Sequence, residues 1–337
     1  MKVYRFDDLG LDHLRLHDEP DLQPQRGELK IRVHAVSLNY RDIAMVSGKY
    51  PRAVKKGLIP TSDGAGEVIA VGEGVESFKV GDRVIGTFHP RWFAGPLHAT
   101  IGHESYGDQQ DGWLTQTKIV SQEAVVTFPS ALSYEEAATL PCAGLTAWTA
   151  LSGAAPVRAG HSVLVQGTGG VSIFAAQLAR AVGARVIATT SSNAKVARLR
   201  EIGASDVVNY RETPEWGKEV RKLAGGRGVD RVVEVGGPGT INQSLRAVAA
   251  GGEIASIGFL SEDNPGIDFF ALKLSSASFR NIMVGDRAGL LDLVRAIEGT
   301  GIKPIIDRVF PFAESRAAFA YLQTGTHFGK VVIRVSG

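Results

Sequence analysis

Residues 161–192, HSVLVQGTGGVSIFAAQLARAVGARVIATTSS, constrain this chain more than any other stretch. They open on an apolar run, 162–166, of the length of a buried strand. A glycine-rich turn, Gly167-Thr168-Gly169-Gly170, comes next. Val171, Phe174, Ala175, Leu178, Ala181 and Val182 then recur on one face at helical spacing. Gly183 can close that helix, and 185–189 reads as a second strand. The predicted unit is strand, glycine turn, helix, strand. Its turn suits a phosphate, because glycines permit a sharp bend and a close approach, while a helix N-terminus offers unpaired N–H groups and a partial positive charge. The spacing G-x-G-x-x-G is met at Gly167 and Gly169, with Ser172 in the third place, where a small residue still allows close helix–strand packing.

Glycine turns also occur in purely structural units, so the other end of the unit carries weight. NAD sites of this kind usually place an acid at the end of the second strand, where it binds the ribose hydroxyls. This chain has Thr189-Thr190-Ser191-Ser192 there, then Lys195, and no acid before Glu201. Hydroxyls, a lysine and a helix N-terminus favour a 2′-phosphate, which a carboxylate would repel. NADP(H) is therefore expected over NAD(H). An alternative, Ser192 as a helix cap and Lys195 as a solvated charge, is compatible with the same residues.

The 337 residues suffice for two domains, and 44% hydrophobic with 21% charged residues is ordinary globular composition. A formal net charge of +2 argues against a nucleic-acid or membrane surface. MKVYRFDDLG does not read as a signal peptide and no run has bilayer length. Cys142 is the single cysteine, which excludes an intrachain disulfide and a multi-cysteine zinc site, and a cytoplasmic setting is expected.

Through residue 127 the pattern is short strands with glycine punctuation, at 29–36, 67–71, 83–87 and 113–120. Between them, 87–111 shows no period, as expected of a functional or mobile loop. Ser133-Tyr134-Glu135-Glu136 carries a capping box before an alanine-rich helix that breaks at Pro141. After residue 160, strands at 206–209, 229–235 and 253–258 alternate with helices at 213–223 and 240–248. A further strand at 281–284 and a helix at 288–298 follow. The expected fold is α/β: a Rossmann doubly wound parallel sheet at 128–284, and a β-rich domain of residues 1–127 completed by 285–337.

Several motifs now stand in order: Asn39-Tyr40-Arg41-Asp42, Pro60-x-x-Asp63-Gly64-Ala65-Gly66, Gly81-Asp82-Arg83-Val84, AATLPCAGLTAW (137–148), the glycine turn, VVNYR (207–211), VDRVVEVGG (229–237) and HFGKVVIRV near the end. Together they make the chain resemble the medium-chain dehydrogenase/reductase superfamily, in its zinc-free, quinone-oxidoreductase-like branch. The resemblance implies a GroES-like catalytic domain beside the Rossmann domain. It also implies that zinc-dependent relatives hold their metal with a cysteine where this chain has Asn39 and a histidine where it has Ser62. No metal is expected; His89, His98 and His103 match no paired ligand spacing.

The resemblance further implies cofactor contacts at Thr146, Gly167, Thr168, Gly169, Gly170 and Val171, and around a 2′-phosphate at Thr190, Ser191, Ser192, Lys195 and Tyr210. Gly236, Phe259, Val284, Arg287 and Lys330 would line the remaining groove. Asn39 is the candidate anchor for substrate or ribose, and a turn-stabilising asparagine is its plainer reading. Tyr50 is the candidate donor to an acceptor oxygen, with a packing tyrosine as the alternative. Asp42 and Asp63 read as structural, and Cys142 as a buried small residue. The expected activity is zinc-independent hydride transfer from NADPH to a quinone, enone or aldehyde/ketone-type acceptor, in a homodimer that binds no nucleic acid or membrane. An enoyl-thioester reductase, a zinc-free alcohol dehydrogenase and a non-catalytic NADPH-binding module are the alternatives. A thioester would call for a basic patch at Arg91, Lys55 and Lys56.

Overall fold

Strand and helix alternate strictly only after residue 160, and the chain accordingly builds two units, Met1–Leu145 with Gly285–Gly337, and Thr146–Val284. The computed structural model describes residues 1–50, 54–99, 104–153, 155–261 and 263–336. In chain order, the first unit holds β1 (Lys2–Phe6), β2 (Leu14–Asp18), β3 (Glu28–Leu38), α1 (Tyr40–Val46), β4 (Asp63–Val71), β5 (Arg83–Gly86), β6 (Thr117–Ser121), β7 (Val125–Thr127) and α2 (Tyr134–Ala137). The chain then continues through α3 (Leu145–Leu151), β8 (Ser162–Gln166), α4 (Gly170–Ala181), β9 (Arg185–Thr190), α5 (Val196–Glu201), β10 (Ala204–Asn209), α6 (Trp216–Leu223) and β11 (Val229–Glu234). The last elements are α7 (Ile241–Ala247), β12 (Val248–Ser256), α8 (Phe269–Ser275), β13 (Ser278–Asn281), α9 (Arg287–Thr300), β14 (Ile306–Pro311), α10 (Ser315–Gln323) and β15 (Lys330–Arg334).

In the first unit β3 is the spine. Eleven residues long, it pairs antiparallel with β4, β6 and β15, and Leu29, Ile31, Val33, Val36 and Leu38 are buried. The sheet runs β14-β15-β3-β4-β5-β7. Trp113 anchors its core at 0% exposure. Two glycines make room for the indole: a Cβ on Gly64 would lie 2.4 Å from Trp113 Cε3, and one on Gly86 2.2 Å from Cζ2. The capping box before α2 forms as its residues require, Glu136 N–H donating to Ser133 Oγ at 3.1 Å and Ser133 N–H to Glu136 Oε2 at 2.8 Å.

The second unit is a six-stranded parallel sheet in the order β10-β9-β8-β11-β12-β13. Counted from β8, that order is 3-2-1-4-5-6, the doubly wound arrangement, with its switch point between β8 and β11. All five residues of β8 are buried, which is why the run is continuous rather than alternating. Helix α4 buries Ser172 through Ala176, Leu178 and Ala179.

Four expectations need correction. Ala181 and Val182 are exposed, because α4 ends there. The sixth strand lies at Ser278–Asn281, earlier than 281–284. Residues 39–46 were expected among strands and turns but form α1, whose N-cap Asn39 donates its backbone N–H to Asp42 Oδ2 at 2.8 Å. The first unit extends to Leu145 rather than to 127, since Arg83 Nη2 donates to Leu132 O at 2.6 Å and Cys142 N–H to Asp63 Oδ2 at 3.2 Å.

That last bond explains the break at Pro141. Proline has no N–H to give, and the Cys142 N–H leaves the helical ladder for the Asp63 carboxylate. The backbone widens into a π-turn over Leu140–Gly144 before α3 resumes.

Candidate functional site

In the second unit, the glycine turn grows out of β8. Gly167 takes φ +72°, a conformation that favours glycine, and its N–H donates to Thr189 O at 2.9 Å. Gly169 caps α4, and a Cβ built on it would meet nothing within 4 Å. An anion can therefore come up to the backbone at Gly169 and the first N–H groups of α4, at Gly170 and Val171. Ser172, in the third fingerprint place, is buried and donates its hydroxyl to Gln166 O at 2.6 Å, so the serine ties helix to strand where a glycine would only fit.

Lys195 crosses to this turn, its Nζ donating to Thr168 Oγ1 at 3.0 Å. The end of β9 is organised locally: Ser192 N–H donates to Thr190 Oγ1 at 3.2 Å, and Tyr210 N–H to Thr190 O at 3.0 Å. Ser191 follows Thr190 directly, and the Tyr210 side chain is 40% exposed. The Ser192 side chain does not cap the short 3-10 turn that follows, which removes the capping alternative. One neighbour escaped the sequence reading. Glu212 accepts from Asn193 Nδ2 at 2.5 Å, and Asn193 Oδ1 accepts from Asn209 at 2.8 Å, so an acid joins this end of the sheet from beyond β10. The signal that could have found it is the pairing of β10 with β9, which puts Asn209 beside Thr190.

On the other side of the switch point, Gly236 and Phe259 lie at the ends of β11 and β12. Ser261 N–H donates to Gly236 O at 2.8 Å, and a Cβ on Gly237 would lie 2.9 Å from Phe259 Cα. Thr146 is buried on α3, and Val284, at the end of the unit, holds φ +65°.

Arg287 and Lys330 belong to the first unit. Arg287 Nε donates to Val125 O at 3.3 Å, and its N–H to Trp92 O at 2.9 Å. Lys330 is buried and gives its ammonium to Leu38 O and to Asn39 Oδ1, each at 2.6 Å. Those bonds lie inside the unit.

Around Lys330 stands a buried polar cluster. Asn39 Nδ2 donates to Asp63 Oδ2 at 3.0 Å and, more weakly, to Ser62 Oγ at 3.4 Å; Ser62 donates to Asp63 Oδ1 at 2.7 Å. Asp63 thus accepts from Asn39, Ser62 and the Cys142 backbone. Burial pushes its carboxyl up, opposed by Lys330, and pushes the Lys330 ammonium down, opposed by Asp63. Burial also raises Asp42 to about 6 against the pull of Arg41, and raises the Cys142 thiol. Cys142 itself is only partly buried, less than expected.

The cluster rests on a strained loop. Thr61, β-branched, holds φ +72°, fixed by Trp113 N–H on its carbonyl at 3.0 Å and by Gly107 and Gly112, whose Cβ atoms would strike the 60–61 backbone at 2.8 and 2.2 Å. Beside it, Arg41 donates to Tyr106 O at 2.9 Å and Ser105 Oγ at 3.1 Å, with its guanidinium 5.8 Å from the Tyr50 ring centre.

His89 is buried and packs edge-on against Phe88 and Trp92, whereas His98 is exposed; His103 lies outside the described residues. Among the described residues no group of three or more His, Cys, Asp or Glu is placed to hold a metal ion. Arg91 is ion-paired with Glu104 at 2.6 Å and Lys55 with Asp111 at 3.4 Å, which neutralises most of the basic patch a carrier phosphate would need. Among the described residues no helix is long and apolar enough to cross a membrane.

Comparison with known proteins bears on both units. The alcohol dehydrogenase GroES-like domain family matches residues 25–130, and the zinc-binding dehydrogenase family matches 170–298. A zinc-type alcohol dehydrogenase-like protein of Schizosaccharomyces pombe is 38% identical over 97% of this chain and 96% of its own. The solved structure of an NAD-dependent alcohol dehydrogenase is 32% identical, covers 100% of both chains and superposes with a TM-score of 0.91. The mycobacterial protein Rv1454c, solved with NADPH, is 28% identical over 99% of this chain and 100% of its own, with a TM-score of 0.83.

Proposed function

The chain belongs to the medium-chain dehydrogenase/reductase superfamily of oxidoreductases, and from that premise we propose that it is an NADPH-dependent, zinc-independent reductase of quinones, enones or aldehyde/ketone-type carbonyls. The observation that supports this reading most is the bond from Lys330 to Asn39. Where the resemblance puts a cysteine and a histidine on zinc, Asn39 and Ser62 are already hydrogen-bonded to Asp63, and a buried ammonium is seated on Asn39 Oδ1. Zn²⁺ takes thiolate, imidazole or carboxylate from three protein ligands, and among Asn39, Ser62, Asp63 and Lys330 only the Asp63 carboxylate is of that kind. These residues do not fit the metal.

Cofactor choice rests on Lys195. Its ammonium at Thr168, the Ser191 and Ser192 hydroxyls and the backbone at Gly167 to Val171 suit a pyrophosphate and a 2′-phosphate, with Thr190 and Tyr210 at the adenosine side. Rv1454c, with NADPH, supports the choice; the NAD-dependent relative and Glu212 are the reasons to test it. NADPH supplies the hydride when bound. Thr146, Gly236, Phe259, Val284, Arg287 and Lys330 are the proposed remaining contacts.

Without a metal, the charge that develops on the acceptor oxygen needs a proton or a hydrogen bond. Tyr50 is the proposed donor, beside the fixed Arg41 guanidinium. Asn39 has its amide engaged within the chain, so its proposed part is to hold Lys330 and Asp63 in register. The neutralised patch at Arg91 and Lys55 favours small acceptors over carrier-bound thioesters.

We further propose a homodimer through the second unit. Strand β13 is one of the two edges of the parallel sheet, β10 being the other; Phe279 on β13 is 39% exposed, and Phe269, Phe270 and Leu274 of α8 are 67–79% exposed. A second copy can pair that edge isologously and cover those rings. The function is tested by NADPH fluorescence titration, then by NADPH oxidation against quinones, enones and aldehydes. Oxidation with any class supports the enzyme; tight binding without oxidation leaves a binding module, and absence of binding overturns both.

A further inference from the structure

The ladder between β8 and β11 ends at the pair Val165 and Val233. The next pair, Gln166 and Glu234, sits at the switch point, where the chain leaves β8 and β11 for different helices. Side chains carry the link from there. Gln166 Nε2 donates to Glu234 Oε2 at 2.7 Å, and Gln166 Oε1 accepts from the Val235 and Gly236 N–H groups at 3.1 and 3.3 Å.

Glu234 is fully buried, and its carboxylate is the hub. Oε1 accepts from Gly236 N–H at 2.9 Å, Gly237 N–H at 3.0 Å and the Thr240 hydroxyl at 2.5 Å; Oε2 also accepts from the Ser244 hydroxyl. These partners are all neutral dipoles. A fold that needed only packing would place an aliphatic side chain here, since a buried carboxylate is costly even when its hydrogen bonds are made. The turn it holds has no slack. A Cβ on Gly236 would lie 2.3 Å from Thr240 Oγ1, one on Gly258 would lie 2.1 Å from Val235 O, and Gly237 holds φ +82°.

We propose that Glu234 is a positioning residue for the dinucleotide. Through Gln166 it sets the backbone entering the glycine turn, and through Gly236 and Gly237 it sets the turn after β11, so one anion aligns both lips of the switch-point crevice. The inference rests on the dinucleotide reading of that crevice. Lys195 and the end of β9 are not among Glu234's own partners and touch this network only through the glycine turn, at Thr168 and Gly167, so a ligand held at the second-strand end should feel Glu234 less than the whole dinucleotide does.

Three variants and two ligands test it. Glu234→Gln puts an amide donor against Gln166 Nε2. The double variant Gln166→Glu with Glu234→Gln restores one donor and one acceptor across the pair. Gln166→Met removes the bridge while keeping the carboxylate and its other donors. NADPH is the first ligand, read by fluorescence; adenosine 2′-monophosphate, which reaches only the second-strand end, is the other. Glu234→Gln and Gln166→Met should each weaken NADPH by about tenfold, the scale of one mismatched buried hydrogen bond, and leave adenosine 2′-monophosphate within about twofold. The double variant should recover most of the loss. Unchanged NADPH affinity in Gln166→Met, a double variant no better than Glu234→Gln, or equal losses for both ligands would overturn the proposal. A wild-type protein that binds neither ligand would overturn the dinucleotide reading itself.

Discussion

The Lys195 ammonium reaches Thr168 Oγ1 at 3.0 Å, joining the end of the second parallel strand to the glycine turn. On the proposed reading, one ammonium there would meet both the pyrophosphate and the 2′-phosphate. Lys195→Ala should therefore raise the dissociation constant for NADPH by roughly tenfold or more while NADH changes by less than about threefold, since only one ligand loses a charge-assisted bond. Fluorescence titration with each cofactor reads the ratio. Equal losses would assign the residue to the turn alone.

Chelation tests the proposed independence of zinc. Prolonged treatment with 1,10-phenanthroline should leave the NADPH oxidation rate unchanged, because Asn39 and Ser62 are engaged with Asp63 and Lys330. A loss of activity that added Zn²⁺ restores would show that the site recruits metal after all.

Lys330→Met should cost about 3 kcal/mol in urea unfolding, because it strands the buried Asn39 Oδ1 and removes the ammonium whose charge offsets the burial of Asp63. Lys330→Arg should cost less. A loss below about 0.5 kcal/mol for the methionine variant, the range of ordinary surface changes, would remove Lys330 from the core of the unit's polar cluster.

Lys118 gives a pH signature. Its ammonium donates to Asp111 O at 2.7 Å and Gly112 O at 2.9 Å beneath the Tyr106 and Trp113 rings, and burial lowers its pKa to about 7. Between that value and the ordinary lysine value the unfolded chain binds more protons than the folded one. Stability attributable to Lys118 must then rise with pH from about 7 to about 10. The difference in urea midpoint between wild type and Lys118→Met, followed across that window, should show the slope; a flat difference would place the ammonium in solvent.

The indole slot predicts a rescue. Gly86→Ala should destabilise by about 2 kcal/mol, since its Cβ would lie 2.2 Å from Trp113 Cζ2 in a closed core. In a Trp113→Leu background the same change should cost much less, and strict additivity would count against the slot.

How much of this could be read beforehand depended on whether its cause was local. The glycine unit was legible because periodicity, turn and cap lie within some thirty residues, and the parallel sheet followed from alternation. Helix α1 was not, since its entry is Asn39 with Asp42 rather than a serine–glutamate box, and it runs for only seven residues. The role of Lys330 depends on Asn39, 291 positions away, and that of Glu234 on Gln166, 68 away. No window on the chain holds both members of such a pair. Pro141 announced a break, but the π-turn's shape depends on Asp63, which a proline cannot signal.

The bond from Cys142 to Asp63 is made by a peptide group. Whatever side chain stands at 142, the donor is present, so drift at this position leaves the link intact. Of the twenty residues only proline would sever it. The join between the π-turn and the polar cluster is thus robust to mutation on one side and wholly dependent on Asp63 on the other.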